Sequence, residues 1–146
     1  MRRFLLLGIP VLCVAATLVA CTGGPDLSDD EYIAKLRKIP ARAWLKTNNN
    51  PYPLASNRFG AAPSARDFVE SLFTAGAVEV YVADPFEEPD RINRERGPYA
   101  DTLVIALPRD LSRRKALFAI AAAEAKREGF VTPPDTGQKG ILLWWD

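Results

Sequence analysis

Ser112-Arg113-Arg114-Lys115 sets a hydroxyl and an amine about one helical turn apart. Asp84, Glu87, Glu88, Asp90 and Glu95 share one stretch with Arg91, Arg94 and Arg96. These are the groups whose types and spacing could do chemistry. A serine beside a lysine can work as nucleophile and base. Paired carboxylates can divide the acid and base roles of a hydrolysis, or hold calcium through oxygen ligands. Each group also has an ordinary structural reading. A serine near a helix start is capping chemistry. Carboxylates interleaved with arginines neutralise one another as surface ion pairs of small energetic value, and no EF-hand spacing runs through the acidic stretch. Asp84 to Ala100 therefore reads as a solvated polar loop, although neighbouring strands are usually joined by roughly two to five residues.

What the chain lacks narrows the chemistry further. It has no histidine and two cysteines. Without histidine, the commonest general base, the His-paired Ser and Cys nucleophiles and the usual zinc ligand sets are gone. Catalysis would have to rest on carboxylates, Lys, Tyr, Ser or Thr, and neither a metal site nor a cofactor is expected. The Ser112–Lys115 spacing resembles the S-x-x-K motif of penicillin-recognising enzymes. The partner motifs S-D-N and K-T-G are missing, since Lys139-Gly140 is not the latter, and the chain is short for that fold. No catalytic residue is assigned. The 19 basic and 18 acidic side chains leave a net charge of +1, which argues against electrostatic capture of nucleic acid as the main purpose. Arg109, Arg113, Arg114 and Lys115 read as a solvated basic face at a helix start.

The first residues carry the most specific signal. Met1-Arg2-Arg3 is followed by the apolar run Phe4 to Val19, the pattern of a secretory signal peptide. The run is interrupted by Gly8 and Pro10 and is shorter than the about 20 apolar residues a membrane-spanning helix wants. It ends in Leu18-Val19-Ala20-Cys21, which resembles the lipobox of bacterial lipoproteins. That resemblance implies that the Cys21 thiol receives a diacylglyceryl group, that residues 1–20 are removed, and that the new amino group is usually acylated. Cys13 would leave with the signal, so the remaining domain would hold no free thiol and no disulfide. Residues 21–27 read as the lipidated cysteine and a tether reaching about 20 Å. Thr22 stands where an aspartate would favour retention in the inner membrane, so sorting to an outer membrane, facing the periplasm, is expected where the host has one.

Residues 28–146 read as a single small α+β domain. Ser28-Asp29-Asp30-Glu31 resembles a capping box, and Tyr32, Ile33, Leu36 and Ile39 follow at helical spacing up to Pro40. Between Ala41 and Pro63 two strand candidates stand open, Ala43-Trp44-Leu45 and Tyr52 to Phe59. Ser64 is placed as the cap of a helix that Gly76 ends. Alternation then marks strands over Ala77 to Ala83, Asp101 to Leu107 and Ile141 to Trp145, and a helix runs from Asp110 through Glu128. This is the back of a βαββαβ plan. It predicts a ferredoxin-like sandwich: an antiparallel sheet with two helices on one face, preceded by an N-terminal helix. The block from Phe68 to Trp145 also looks like small bacterial α+β proteins of unknown activity.

The last strand does not alternate polar with apolar. Ile141, Leu143 and Trp145 face one way and Leu142 and Trp144 the other, so something apolar must meet the second face. Trp44 and the proline-rich segment after it are the expected cover. Otherwise Tyr81, Val104, Leu142 and Trp144 form an interaction surface for a protein partner, a second copy or an apolar ligand. The expectation is thus a membrane-anchored envelope lipoprotein with a non-enzymatic interaction or scaffolding domain. A hydrolase using carboxylates of the Asp84–Asp101 region and a carrier of a small apolar ligand are the alternatives.

Overall fold

The computed structural model describes residues 30–132 and 134–145. The signal peptide, Cys21, the tether and the capping residues Ser28 and Asp29 lie outside these residues. Four strands, β1 (Lys38–Pro40), β2 (Glu79–Ala83), β3 (Thr102–Ala106) and β4 (Gly140–Trp144), form an open sheet in that order. Each is antiparallel to the next. The described residues also form six helices: α1 (Asp30–Lys35), α2 (Ala41–Thr47), α3 (Ser56–Phe59), α4 (Ala62–Thr74), α5 (Pro89–Glu95) and α6 (Leu111–Arg127). The architecture is α+β.

The strand order departs from the ferredoxin-like plan, which would interleave the two halves of the sheet. Here α6 leaves the end of β3, and the segment after it brings the chain back to that same end. Gly140 consequently pairs with Ala106, and the Leu107 N–H bonds the Lys139 carbonyl at 2.8 Å. A connection that returns to its starting end delivers the next strand antiparallel and adjacent. The first strand is neither of the two sequence candidates. Ala43-Trp44-Leu45 lies within α2, and Tyr52 to Phe59 contains a single bridge and α3. Lys38-Ile39-Pro40 supplies it, where helical spacing had suggested the last turn of the N-terminal helix. Three residues are too few to show alternation, and Pro40, which has no N–H, is tolerated because β1 is an edge strand.

One face of the sheet carries the main core. Val80, Val82, Leu103, Ile105, Ile141 and Leu143 cluster with Trp44 and Leu45 of α2, Phe59 of α3, Val69 and Leu72 of α4, and Leu117 of α6. Four helices thus meet this face rather than two. Phe68, Phe73 and Ile120 sit at its margin. Val78, expected inside by alternation, is 65 % exposed because the strand begins one residue later, at Glu79. Trp145 closes the core edge-on against Phe59 and Phe68, with ring centroids 5.0 and 5.9 Å away.

Local chemistry sets the helix ends. Ala61, not Ser64, is the N-cap residue of α4, whose first turn contains Pro63; proline's missing N–H costs nothing there. At the other end Gly76 adopts φ 106°. The Gly76 and Ala77 N–H groups then bond back to the Phe73 and Leu72 carbonyls, each at 3.0 Å, a glycine-dependent reversal. Asp110 caps α6, accepting from the Arg113 N–H at 2.8 Å. Ser112 is an exposed residue of the first turn.

One buried carboxylate ties three elements together. Glu124 of α6 accepts from Arg58 of α3 at 2.7 and 2.9 Å. It also accepts from the Trp145 indole N–H at 3.0 Å. Burial pushes the Glu124 carboxyl up, but the bonds from Arg58 and Trp145 outweigh it and hold the group below the usual carboxylate range.

Two predictions follow from this packing. Leu103→Ala, at a site with no exposure, should cost about 2–5 kcal/mol in a denaturant melt, whereas Val78→Ala should stay within about 0.5 kcal/mol. A carboxyl depressed in the folded state contributes stability above its unfolded pKa of about 4.3 and loses it as pH falls through the lower folded value. Stability should therefore fall as the medium is acidified below that point, and Glu124→Gln should be less stable at neutral pH with a flatter acid limb. A variant whose pH profile overlays that of the parent would contradict the assignment.

Candidate functional site

Tyr81, Val104 and Leu142 form one row across β2, β3 and β4, directly opposite one another, and Trp144 pairs with Thr102 in the next. This second face is covered, but not by Trp44, which belongs to the core on the other side of the sheet. Its cover is α1. Ile33 packs with Ala83, Val104 and Leu142, with Leu36 and Tyr81 alongside. Polar bonds hold α1 in place. The Asp30 carboxylate accepts from the Lys139 and Gly140 N–H groups at 2.9 and 3.3 Å. The Lys38 ammonium donates to the Ile33 carbonyl at 2.6 Å and the Leu36 carbonyl at 3.3 Å. Val104 and Leu142 are thereby buried, whereas of the expected surface Tyr81 is half-buried and Trp144 is exposed. Phe130 lies 5.3 Å from the Trp144 ring, where it follows the reversal that ends α6.

The acidic stretch is structured, although most of its charged side chains are exposed, as expected of a solvated connection. It contains α5, and Phe86 and Tyr99 exchange backbone bonds at 2.7 and 3.2 Å. Arg91 lies over the Tyr99 and Phe86 rings, 4.4 and 5.0 Å from their centroids. The carboxylates do not converge. Asp84 accepts from the Arg37 N–H at 2.8 Å, and Glu87 grips the Arg37 guanidinium at 2.6 and 2.7 Å. Asp101 accepts from the Thr102 hydroxyl at 2.7 Å. Glu95 takes bonds from Arg91 at 3.2 Å, Asn50 at 3.3 Å and Arg94 at 3.4 Å. Hydrogen bonding from Arg37 holds Glu87 below the usual carboxylate range. Glu95 is also held low, because its three donors outweigh the burial that pushes it up. Among the described residues no three side chains gather as a metal-ligating set. Ser112 and Lys115 are both exposed on α6, and one of the two residues between them, Arg114, turns inward to pair with Asp135 and bond the Pro108 and Gln138 carbonyls.

The stretch folds back onto the asparagine run. Asn48 donates to the Pro98 carbonyl at 2.9 Å. Buried Asn50 donates to the carbonyls of Gly97 and Pro98 at 3.2 and 3.3 Å and accepts from the Tyr52 N–H at 2.9 Å. A side chain at Gly97 would begin 2.3 Å from the Asn48 side-chain Oδ1 and 2.8 Å from the Asn50 backbone nitrogen, so the approach needs glycine. Ala55 and Ala100 bond at 2.8 Å. Between the two segments opens a cleft of about 560 Å³, with Tyr52 and Ser56 on one wall and Arg91, Arg94, Arg96 and Tyr99 on the other. Sequence reasoning missed it. The available signals were the Asn-Asn-Asn-Pro run and a connection too long for a hairpin.

Asn50→Ala should cost about 1–3 kcal/mol, because it removes the bonds to the Gly97 carbonyl and from the Tyr52 N–H, while Asn48 still serves Pro98. Hydrogen exchange at residues 97–100 should accelerate, while exposed Asn49→Ala should stay within about 0.5 kcal/mol. Equal exchange in the two variants would refute the clamp. Comparison of the chain with protein-family models, curated proteins and solved structures gives no match.

Proposed function

We propose that this chain is a lipid-anchored protein of the bacterial envelope whose domain binds a partner rather than catalyses a reaction. The observation that carries the anchor is Leu18-Val19-Ala20-Cys21 after a basic start and an apolar run. One acyl chain gives marginal membrane binding, whereas two or three make attachment effectively permanent, each buried methylene contributing about 0.8 kcal/mol. Thr22 supports delivery to an outer membrane, facing the periplasm, where there is one.

Binding is favoured over carboxylate hydrolysis because Asp84 and Glu87 are both committed to Arg37, Glu95 to Arg91 and Asn50, and Asp101 to Thr102. An acid–base pair needs two carboxylates flanking one bond. It is also favoured over an apolar carrier, since α1 packs over Val104 and Leu142 and the space left beside Ile33 is an open groove of about 270 Å³ rather than an enclosed cavity. A protein partner in the envelope would meet the open margin at Trp144 and Phe130.

The test is metabolic labelling with palmitate in a bacterial host, followed by fractionation. The parent chain should take up label and sediment with membranes. Cys21→Ser should take up none and appear either as uncleaved precursor or as released protein. Label retained by Cys21→Ser, or parent protein found mostly in the cytosol, would sink the proposal.

A further inference from the structure

The cleft between the asparagine run and α5 has a composition that the anchor does not account for. Three arginines line it and Glu95 is the single carboxylate facing them, so the cleft carries excess positive charge in a chain that is otherwise nearly neutral. Arg91 is committed to Glu95 and to the Tyr99 and Phe86 rings. Arg94 makes only a 3.4 Å contact with Glu95 and is 69 % exposed. Arg96 has no acidic partner among the described residues. Two guanidinium groups are thus available at the rim of a cavity whose volume lies in the ordinary range for small-ligand sites.

The backbone at the rim is strained. Arg96 is held at φ 66° and Ala55, next to Ser56 on the other wall, at φ 32°. Non-glycine residues rarely occupy this region, and they persist there when the surroundings enforce it, often at binding sites. The enforcing contacts are on both sides: Asn50 to Gly97 and Pro98, and Ala55 to Ala100. Glycine would relax position 96 at no steric cost, and arginine stands there instead. The remaining wall is Tyr52, 53 % exposed, beside the Ser56 hydroxyl. A free aromatic face with a nearby hydroxyl suits a ring that is apolar on its faces and polar at its edge.

We infer that this cleft binds a small ring-bearing anion, a sugar or similar ring carrying a phosphate or carboxylate, with Arg94 and Arg96 on the acidic group and Tyr52 against the ring. Guanidinium groups favour such oxyanions because parallel N–H donors match two oxygens at once. The inference stands independently of the lipid anchor.

Calorimetric titration of the full chain in detergent tests it, with glucose 6-phosphate and glucuronate as probes and glucose and inorganic phosphate as controls. Saturable binding of at least one probe, tighter than either control, is expected. Arg96→Gly should weaken it about tenfold or more while the melting temperature stays level or rises, because the strain is removed with the charge. A merely structural Arg96 would instead lower the melting temperature and leave affinity unchanged. Exposed Arg94→Gln supplies a second variant with the same expected loss of affinity. Absence of saturable binding by both probes, equal binding of a control, or full affinity in both variants would overturn the proposal.

Discussion

A sheet that is apolar on both faces has to be covered twice, and that requirement organises the rest of this molecule. On one side the cover is ample: α2, α3, α4 and α6 contribute to a single cluster over Val80, Val82, Leu103, Ile105, Ile141 and Leu143. On the other side it is a six-residue helix. A helix so short has no independent stability in water, so α1 is ordered by what it covers. Ile33 seats it over Val104 and Leu142, Asp30 fastens its start to β4, and Lys38 bonds its last carbonyls. Sheet and helix are mutually dependent.

Charged groups inside the fold do a different job from the apolar layers. Burying Glu124 alone would be costly, since an uncompensated charge loses its hydration. Arg58 and the Trp145 indole satisfy it, and in doing so they fix how α3, α6 and the end of β4 meet. Arg114 plays the same part at the other end of α6, where it binds Asp135 and the Gln138 carbonyl of the returning segment and the Pro108 carbonyl of the segment before the helix. Buried pairs of this kind contribute little net stability against an apolar replacement, but breaking one partner away is expensive. Their effect here is on geometry. They pin the segments around α6 that bring the chain back to form β4 beside β3.

Elements with a strong internal period were readable from the sequence. α4 carries an apolar stripe, α6 is bounded by the Asp110 cap and the Gly129 reversal, and β2, β3 and β4 alternate or run continuously apolar. Each signal is local, written within a few residues. β1 escaped because three residues carry no period, and its own Ile39 with the preceding Leu36 happens to fit a helix. The cover of the second face escaped for a related reason. Composition shows that Leu142 and Trp144 need a partner without showing which apolar segment arrives, and both Trp44 and Ile33 were chemically adequate.

The cleft was hidden more deeply. Its walls are joined by Asn48, Asn50, Gly97 and Pro98, with Asn50 and Gly97 separated by 47 positions. Each of these residue types is explained locally as a turn former. Asn50 in a turn would bond its own backbone, and it does so through its carbonyl oxygen, leaving the amide to reach across. One side chain thus satisfies a local and a distant demand, and only the local one leaves a trace in the sequence. The arginines behave likewise. Arg91, Arg94 and Arg96 are indistinguishable by spacing as members of a mixed-sign stretch, yet the fold lays the first over two aromatic rings, half-pairs the second and leaves the third at a strained rim. What separates them is the backbone reversal at Arg96 and Gly97. That reversal is set by contacts from the asparagine run rather than by the stretch itself.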